Sequence, residues 1–492
     1  MKQNLKKYVD KFNADDKEYT KTLIGNDVCY DWLSENIPLI DIPDKDIEET
    51  YYFRYWTFRK HIRDTIDGTV ITEFLVPVSW GSTHDTIVAA IDFQVSDGKW
   101  LKIAPEVIEN HIELFLNEKS DPYRYSTPIV NTIFNYCLYK GDFGFGIKNL
   151  DLMVNYYNKV EDARLMPCGL FCGKDDDDAM EFTVSGSSIG LNLQKGYRTT
   201  LNSYMAANAL AISKFAEMAN RDDIKELFFE KYLNLKDKIN EILWDGTFYK
   251  SIHGEELLEN PSISKLPKEQ NVRELMGYTP WIYCLAPDGY EKGFEELRDP
   301  DGFHTEYGLT TAEKRHPRYL FYHPHECLWN GYIWPFATSL ALKAMLSLMD
   351  NYKQNTITKD DFYNILRIYA KNHYRVTEEG KRVCWIDEVL SPVDGTWSSR
   401  EVLKNMGWPE KLGGFERGKD YNHSAYCDFV LSGLLGIKIL GDKISVEPKI
   451  PDNWEYFKVT NLTVKDCTYT IIYDKNGTHY GEGEGIIIKK ER

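Results

Sequence analysis

Thr199-Thr200-Leu201-Asn202-Ser203-Tyr204-Met205-Ala206-Ala207-Asn208-Ala209-Leu210-Ala211-Ile212-Ser213-Lys214-Phe215-Ala216-Glu217-Met218-Ala219 is the stretch on which the fold turns. Leu201, Met205, Ile212, Phe215 and Ala219 recur at three- to four-residue spacing or its multiple, which marks one buried helical stripe. The same period returns at 46–63, 85–95, 103–117, 126–139, 146–160, 221–243, 335–349, 359–373 and 421–434. About ten to twelve helices are therefore predicted ahead of the C-terminus. No βαβ alternation interrupts them, which argues against a doubly wound sheet. A chain of 492 residues has room for two to four units, or for one large helical barrel with appendages.

After Gly436 the period drops to two: Ile444 and Val446, then Val459, Leu462 and Val464, then Tyr469, Ile471 and Tyr473, with Asn476-Gly477 as a hairpin turn. The expected division is a helical leader over 1–45, a helical body over 46–435 and a small antiparallel β module over 436–492.

Lys plus Arg number 59 against 76 Asp plus Glu, a net charge of −17, so neither a nucleic acid nor an anionic membrane surface is an expected partner. Aromatic residues make up 14% of the chain, and Trp and Tyr stack on sugar faces while offering a polar atom at the edge. The nine cysteines are scattered, with no zinc-type spacing, which fits a reducing compartment. The N-terminus, Met1-Lys2-Gln3-Asn4-Leu5-Lys6-Lys7-Tyr8, has no apolar run of signal-peptide or membrane-span type, so a cytoplasmic protein is expected. No organic cofactor or metal is expected, and no interface signal fixes an oligomeric state.

Four constellations carry chemistry. The first is Trp385-Ile386-Asp387-Glu388-Val389-Leu390-Ser391-Pro392-Val393-Asp394-Gly395-Thr396-Trp397, an acid beside a Pro/Gly turn between two tryptophans. The second is the run Asp175-Asp176-Asp177-Asp178-Ala179-Met180-Glu181-Phe182, where mutual repulsion raises at least one pKa if the loop lies in a cleft, as a general acid requires. The run also suits a structural Ca²⁺ loop or a solvated charge cluster. The third is Glu326-Cys327-Leu328-Trp329-Asn330-Gly331-Tyr332-Ile333-Trp334-Pro335, with the proline at a helix start. The fourth is Gly418-Lys419-Asp420-Tyr421-Asn422-His423-Ser424, whose polar residues suit either sugar hydroxyls or a helix cap. Aromatic residues of Tyr51–Arg59 are core or site, and Arg54 and Arg59 among them need partners, which carboxylates of the site could supply.

These motifs resemble the (α/α)6-barrel glycoside hydrolases of the trehalase, glucosidase and mannosylglycerate-hydrolase type. The resemblance covers roughly 50–435. Its Glu-x-x-x-Pro-x-x-Gly turn falls on Glu388, its Trp-x-Gly-Pro-x-Trp motif is similar to Trp329-Asn330-Gly331-Tyr332-Ile333-Trp334 with Tyr332 for the proline, and its Leu-Trp-Asp…Phe-Tyr element resembles Leu243-Trp244-Asp245…Phe248-Tyr249. The element Arg417-Gly418-Lys419-Asp420-Tyr421-Asn422-His423-Ser424 matches proteins with a mannosylglycerate-hydrolase-like domain.

The resemblance implies a mainly α, (α/α)6 toroid with a C-terminal β module, and an exo-acting, inverting glycosidase that takes a short α-linked glycoside or oligosaccharide. Glu388 is then the general base. The acid lies upstream of Asn202-Ser203-Tyr204 and is assigned to Asp178, with Asp177 and Glu181 as alternatives, although the usual Glu-Ser-Gly-x-Asp context is missing. The expected sugar-binding wall is Trp56, Arg59, Trp80, His84, Trp329, Asn330, Trp334, Tyr421, Asn422 and His423. Competing readings are another sugar-active enzyme on the same barrel, such as an α-L-rhamnosidase, unsaturated-uronyl hydrolase or polysaccharide lyase, and a non-catalytic carbohydrate-binding protein.

Overall fold

The computed structural model describes residues 1–18, 20–190 and 192–491. Two kinds of helix alternate along the chain. Thr199–Met218 buries every position from Thr199 to Ala209 and most of the remainder, so it is walled on all sides. The next helix, Asp222–Ile242, buries only Ile224, Phe228, Tyr232, Leu235 and Ile239, a single stripe with polar residues elsewhere. A helix buried all round belongs inside and a one-stripe helix outside.

The inner set comprises Ile91–Gly98, Ile129–Lys140, Thr199–Met218, the short turns Leu275–Tyr278 and Thr279–Ile282, Pro335–Asn351 and the segment leading into the π-helical turn Phe429–Leu434. Outer helices include Ala104–Leu116, Leu150–Arg164, Asp222–Ile242, Lys359–Asn372 and Lys45–Phe58, the last buried all round because the leader helix Lys2–Asp15 covers it. Polar bonds lock the inner ring and tie the outer one to it. Asn208 Oδ1 accepts from the backbone N–H of Val130 at 3.0 Å, Ser339 Oγ donates to Ala425 O at 3.3 Å, and Arg54 Nη2 donates to Ser424 O at 2.6 Å. Trp100 Nε1 donates to Asp428 Oδ1 at 2.9 Å and closes the circle. The result is a mainly α, (α/α)6 toroid.

The leader is more than helical. Lys2–Asp15 and Cys29–Asn36 are helices, but Leu39–Asp41 is a strand that pairs antiparallel with Tyr456–Val464. The β module is thus a four-stranded sheet in the order 39–41, 456–464, 467–474, 485–491, and the leader supplies one edge. Val459, Leu462, Val464 and Ile471 face its core. The tight hairpin lies between Val464 and Cys467, whereas Asn476-Gly477 begins a longer connection to Gly485.

Two expected helices are cut short. The one over 46–63 stops at Phe58, because Ile62–Thr65 pairs with Gly68–Ile71 as a hairpin. Regular structure within 421–434 is confined to a helix start at Cys427 and the π-turn, while Tyr421–His423 runs non-helically past Glu73, with Asn422 N donating to Glu73 O at 3.0 Å. No helix among the described residues is long and apolar enough to cross a membrane.

Candidate active site

Glu388 is fixed by backbone on both sides. Leu390 and Ile333 exchange N–H···O bonds, each 2.9 Å, which sets Glu388 beside the start of the helix Pro335–Asn351. Beyond it the chain reverses, with Gly395 N donating to Ser391 O at 3.1 Å. Gly395 has φ +70°, and a Cβ there would lie 2.4 Å from the Tyr307 ring, so only glycine fits. The proline and glycine therefore lie past the acid, which sits at a bend between the strand Arg382–Cys384 and Leu390.

The Glu388 carboxylate opens into a cavity of about 240 Å³ at the centre of the toroid. Phe74, Trp80, Tyr125, Trp334 and Tyr421 supply its aromatic wall, and Ile87, Ala179 and Cys327 its small and apolar lining. Four acids, Glu73, Glu181, Glu326 and Glu388, face it together with Arg124, Arg417 and His325.

Arg417 organises one side. Its Nη2 lies 3.1 and 3.3 Å from the two Glu388 oxygens and 2.9 Å from Glu326 Oε1. Its guanidinium lies against both Trp80 and Trp408, 4.7 and 4.6 Å from the ring centroids, and is buried there. Burial pushes the Glu388 carboxyl up to about 7; Arg417 opposes that rise, and the nearby Asp387 and Glu326 add to it. Burial likewise raises Glu181 to about 7, with Glu388, Asp176 and Asp175 contributing repulsion. Among the described residues no cation pairs with Glu181. Glu73 rises to about 8 through burial, although the Tyr421 hydroxyl donates to its Oε1.

The aspartate run has other uses. It forms a 3₁₀ turn, Asp175–Asp178, that packs against the start of the helix Thr199–Met218. Asp178 is buried, accepting from Arg198 Nε at 2.5 Å and from the Ser126 and Thr200 hydroxyls. Asp175 also holds Arg198 and accepts from the backbone and hydroxyl of Thr183 at 2.9 and 2.8 Å. Asp177 accepts from Lys174 N at 2.8 Å and pairs with Arg164 at 3.2 Å. Neither Asp177 nor Asp178 lines the cavity; Glu181 does. The chain reverses at Ala179 and Phe182, both with positive φ, and Trp329 N donates to Glu181 O at 3.1 Å, which keeps the acid at the wall.

Of the expected sugar-binding wall, Trp80, Trp334 and Tyr421 line the cavity. Trp329 lies behind it, stacked on Trp334 at 4.7 Å, and His423 lies behind Tyr421, stacked at 3.6 Å. Asn330 Nδ2 donates to Phe321 O at 2.7 Å, and Asn422 Nδ2 to Thr72 O at 3.3 Å, so both brace backbone. His84 pairs with Asp67 at 2.8 Å, away from the cavity. Arg59 is fully buried and donates to Ile24 O, clamping the leader. Trp56 donates to Asn13 Oδ1 at 2.8 Å and faces a separate cleft of about 990 Å³, which Trp385 also lines. The tryptophans flanking Glu388 therefore form no surround: Trp397 is buried and donates to Tyr374 O at 3.1 Å.

Sequence reasoning did not single out Glu73, Tyr125, Arg124 or His325, and it quoted Arg417 only as part of a motif. The one signal for Glu73 is its isolation as an acid within the apolar stretch Val70-Ile71-Thr72-Glu73-Phe74-Leu75-Val76. A buried charge in such a run needs a purpose.

A toroid of paired helices whose centre holds buried carboxyls among aromatic rings defines an α/α-barrel glycosidase fold. The chain belongs to the mannosylglycerate hydrolase MGH1-like glycoside hydrolase domain family, whose model matches residues 83–424. Residues 437–489 match glycosyl hydrolase family 65, C-terminal domain. Among solved structures, a sialidase is 30% identical with a TM-score of 0.87 over 99% of this chain and 43% of that one. A GH78 family rhamnosidase of a Bacillus species is 11% identical, with a TM-score of 0.58 over 89% of this chain and 40% of that one. The GH63 mannosylglycerate hydrolase from Thermus thermophilus, in complex with Tris, is 10% identical with a TM-score of 0.50 over 77% of this chain and 100% of that one. The chain spans less than half the length of the sialidase and the rhamnosidase that it matches.

Proposed function

We propose that the chain hydrolyses a glycosidic bond in this cavity, with Glu181 as general acid and Glu388 as general base. The observation that carries the reading is a pair of glutamates in one aromatic-walled cavity, both pushed up to about 7, of which only Glu388 is held by a cation. The two rise alike, so the assignment rests on contacts: Arg417 binds Glu388 in the form of a carboxylate, which suits a base, whereas Glu181 has no cation among the described residues to hold it ionised, which suits an acid. Because the two repel each other, their protons leave in two steps that belong to the pair.

In the reaction, Glu181 protonates the oxygen of the leaving group while Glu388 takes a proton from water. That water attacks the anomeric carbon on the opposite face, the bond from that carbon to the leaving oxygen breaks, and the configuration inverts. Neither step calls on a cofactor. A cavity of about 240 Å³ is smaller than the roughly 300–1,000 Å³ of sites for drug-sized ligands, which favours a single terminal sugar ring and hence exo action. A short α-linked gluco- or mannoside, or another short oligosaccharide, is the proposed substrate. Nine free cysteines are consistent with the proposed cytoplasmic setting.

A lyase reading has less support. The Tyr421 hydroxyl is committed to Glu73 and His423 lies behind the ring, so those two do not act as a pair. Tyr125 and His325 do line the cavity, but the four acids that face it with them suit a uronate carboxylate poorly. The test is a panel of nitrophenyl glycosides, including α-L-rhamnosides, and short disaccharides, run with wild type and Glu388→Gln, with the product anomer followed by NMR. Turnover with inverted product that collapses in the variant is expected; retained configuration, or turnover that survives the substitution, refutes the assignment.

A further inference from the structure

At the mouth of the cavity the consecutive residues His325, Glu326 and Cys327 bring an imidazole nitrogen, a carboxylate oxygen and a thiol sulfur within 4.8 Å of one another. Two observations point from this cluster to a ligand. Glu326 is buried, and while Arg417 takes its Oε1 at 2.9 Å, its Oε2 is buried without any hydrogen-bond partner. That orphaned oxygen lies 3.7 Å from His325 Nδ1. Two ligands on a tetrahedral Zn²⁺ with bonds of about 2.0–2.3 Å stand on the order of 3.5 Å apart, so this pair already has nearly the spacing of two corners. The Cys327 backbone N–H now occupies the lone pair of His325 Nδ1 at 3.0 Å, so a metal takes this imidazole in exchange for that hydrogen bond, or through Nε2.

The ligand types select the ion. Nitrogen, sulfur and one carboxylate oxygen suit a borderline-soft cation such as Zn²⁺ and not Ca²⁺ or Mg²⁺, which want oxygens only. The electrostatics permit a cation: the carboxylates that Arg417 holds, Glu326 and Glu388, offset Arg124 and Arg417, and the thiolate that forms on binding adds a further negative charge. Arg417 opposes the ion, with Nη2 at 3.9 Å from Cys327 Sγ, and an ion bound here draws the thiol proton off while Arg417 keeps its hold on Glu388.

We infer that His325, Glu326 and Cys327 form a binding site for one soft divalent cation at the mouth of the cavity. Three protein ligands leave a fourth position open to water. A filled site narrows the entrance, so sugar turnover falls when it is occupied; that consequence rests on the hydrolase reading, whereas the binding itself does not.

The test reads the metal directly. The full chain, stripped with chelator, is titrated with Co²⁺ and followed by absorption, then challenged with Zn²⁺ and separately with Ca²⁺. One equivalent of Co²⁺ with a thiolate-to-cobalt charge-transfer band is expected, displaced by Zn²⁺ and unaffected by Ca²⁺. Cys327→Ser abolishes the band, and His325→Ala, at a half-buried position, weakens binding at least tenfold, with circular dichroism confirming that both variants fold. Absence of the band at millimolar Co²⁺ overturns the inference. So does a band of equal strength in Cys327→Ser, which marks adventitious binding at another thiol.

Discussion

Replacing Glu181 by glutamine separates the two rival acids. An amide of the same shape can donate a hydrogen bond but cannot surrender a proton to the leaving oxygen. General acid catalysis contributes about 10²–10⁴-fold, which at 1.36 kcal/mol per tenfold is about 2.7–5.4 kcal/mol of barrier. Glu181→Gln is therefore expected to lower kcat/KM by that factor on an alkyl glycoside or disaccharide, whose alkoxide leaves only when protonated. On a nitrophenyl glycoside, whose phenolate departs unaided, the loss is expected to stay within about tenfold. Asp178→Asn acts on something else. Its carboxylate holds Arg198 at 2.5 Å in a fully buried pocket, and Asp175 holds the same guanidinium. Breaking a buried pair typically costs about 3–5 kcal/mol, and the surviving Asp175 contact puts this variant at or below the low end. The loss appears as a lower urea midpoint and as similar activity changes on both substrates. The assay is kcat/KM for matched alkyl and nitrophenyl glycosides beside urea unfolding of each variant. Leaving-group dependence in Asp178→Asn together with its absence in Glu181→Gln would refute the assignment and return the acid to the aspartate run.

Glu388→Ala is expected to lose about 10²–10⁴-fold on nitrophenyl glycosides, with azide restoring turnover and NMR showing a glycosyl azide of inverted configuration. Arg417→Lys keeps the charge but not the planar donor that reaches Glu388 and Glu326 at once, so Glu388 loses part of its stabilisation as an anion; the acidic limb of the kcat profile should move to higher pH. Glu73 has a folded-state pKa of about 8, above its ordinary value of 4.5, so the folded state holds a proton that the unfolded chain releases and stability falls as pH rises across that window. Thermal melts of Glu73→Gln should lack this slope and overtake wild type toward pH 8, by about 5 kcal/mol at most.

Helix periodicity was legible because burial writes it into the chain. The stripes over 221–243 and 359–373 match Asp222–Ile242 and Lys359–Asn372 almost end to end. It failed where pairing to distant backbone overrides local preference. Leu39–Asp41 becomes a strand through Tyr456–Val464, more than four hundred residues away, and Tyr421–His423 stays non-helical because Asn422 bonds to Glu73 O. Neither partner is visible within a window of eighteen residues.

The acid shows the same limit in electrostatic form. From Asp175 to Glu181 five carboxylates lie within seven positions, and nothing local ranks them. What separates them is where the cations fall: Arg198, at the cap of the next inner helix, takes Asp175 and Asp178, and Arg164, at the end of an outer helix, takes Asp177. Each pairing commits that aspartate to an arginine outside the cavity lining, where no sugar oxygen can reach it. Glu181, two residues past the turn that Ala179 makes in the left-handed region, is carried beyond the reach of both arginines and onto the cavity wall. The two arginines that flank the run in sequence are thus as informative about the acid as the acids themselves. The fully buried guanidinium of Arg198 takes two carboxylates, and the run supplies both. Of the two carboxyls left without a cation among the described residues, Asp176 and Glu181, only Glu181 lines the cavity, and its proton is the one that burial retains there.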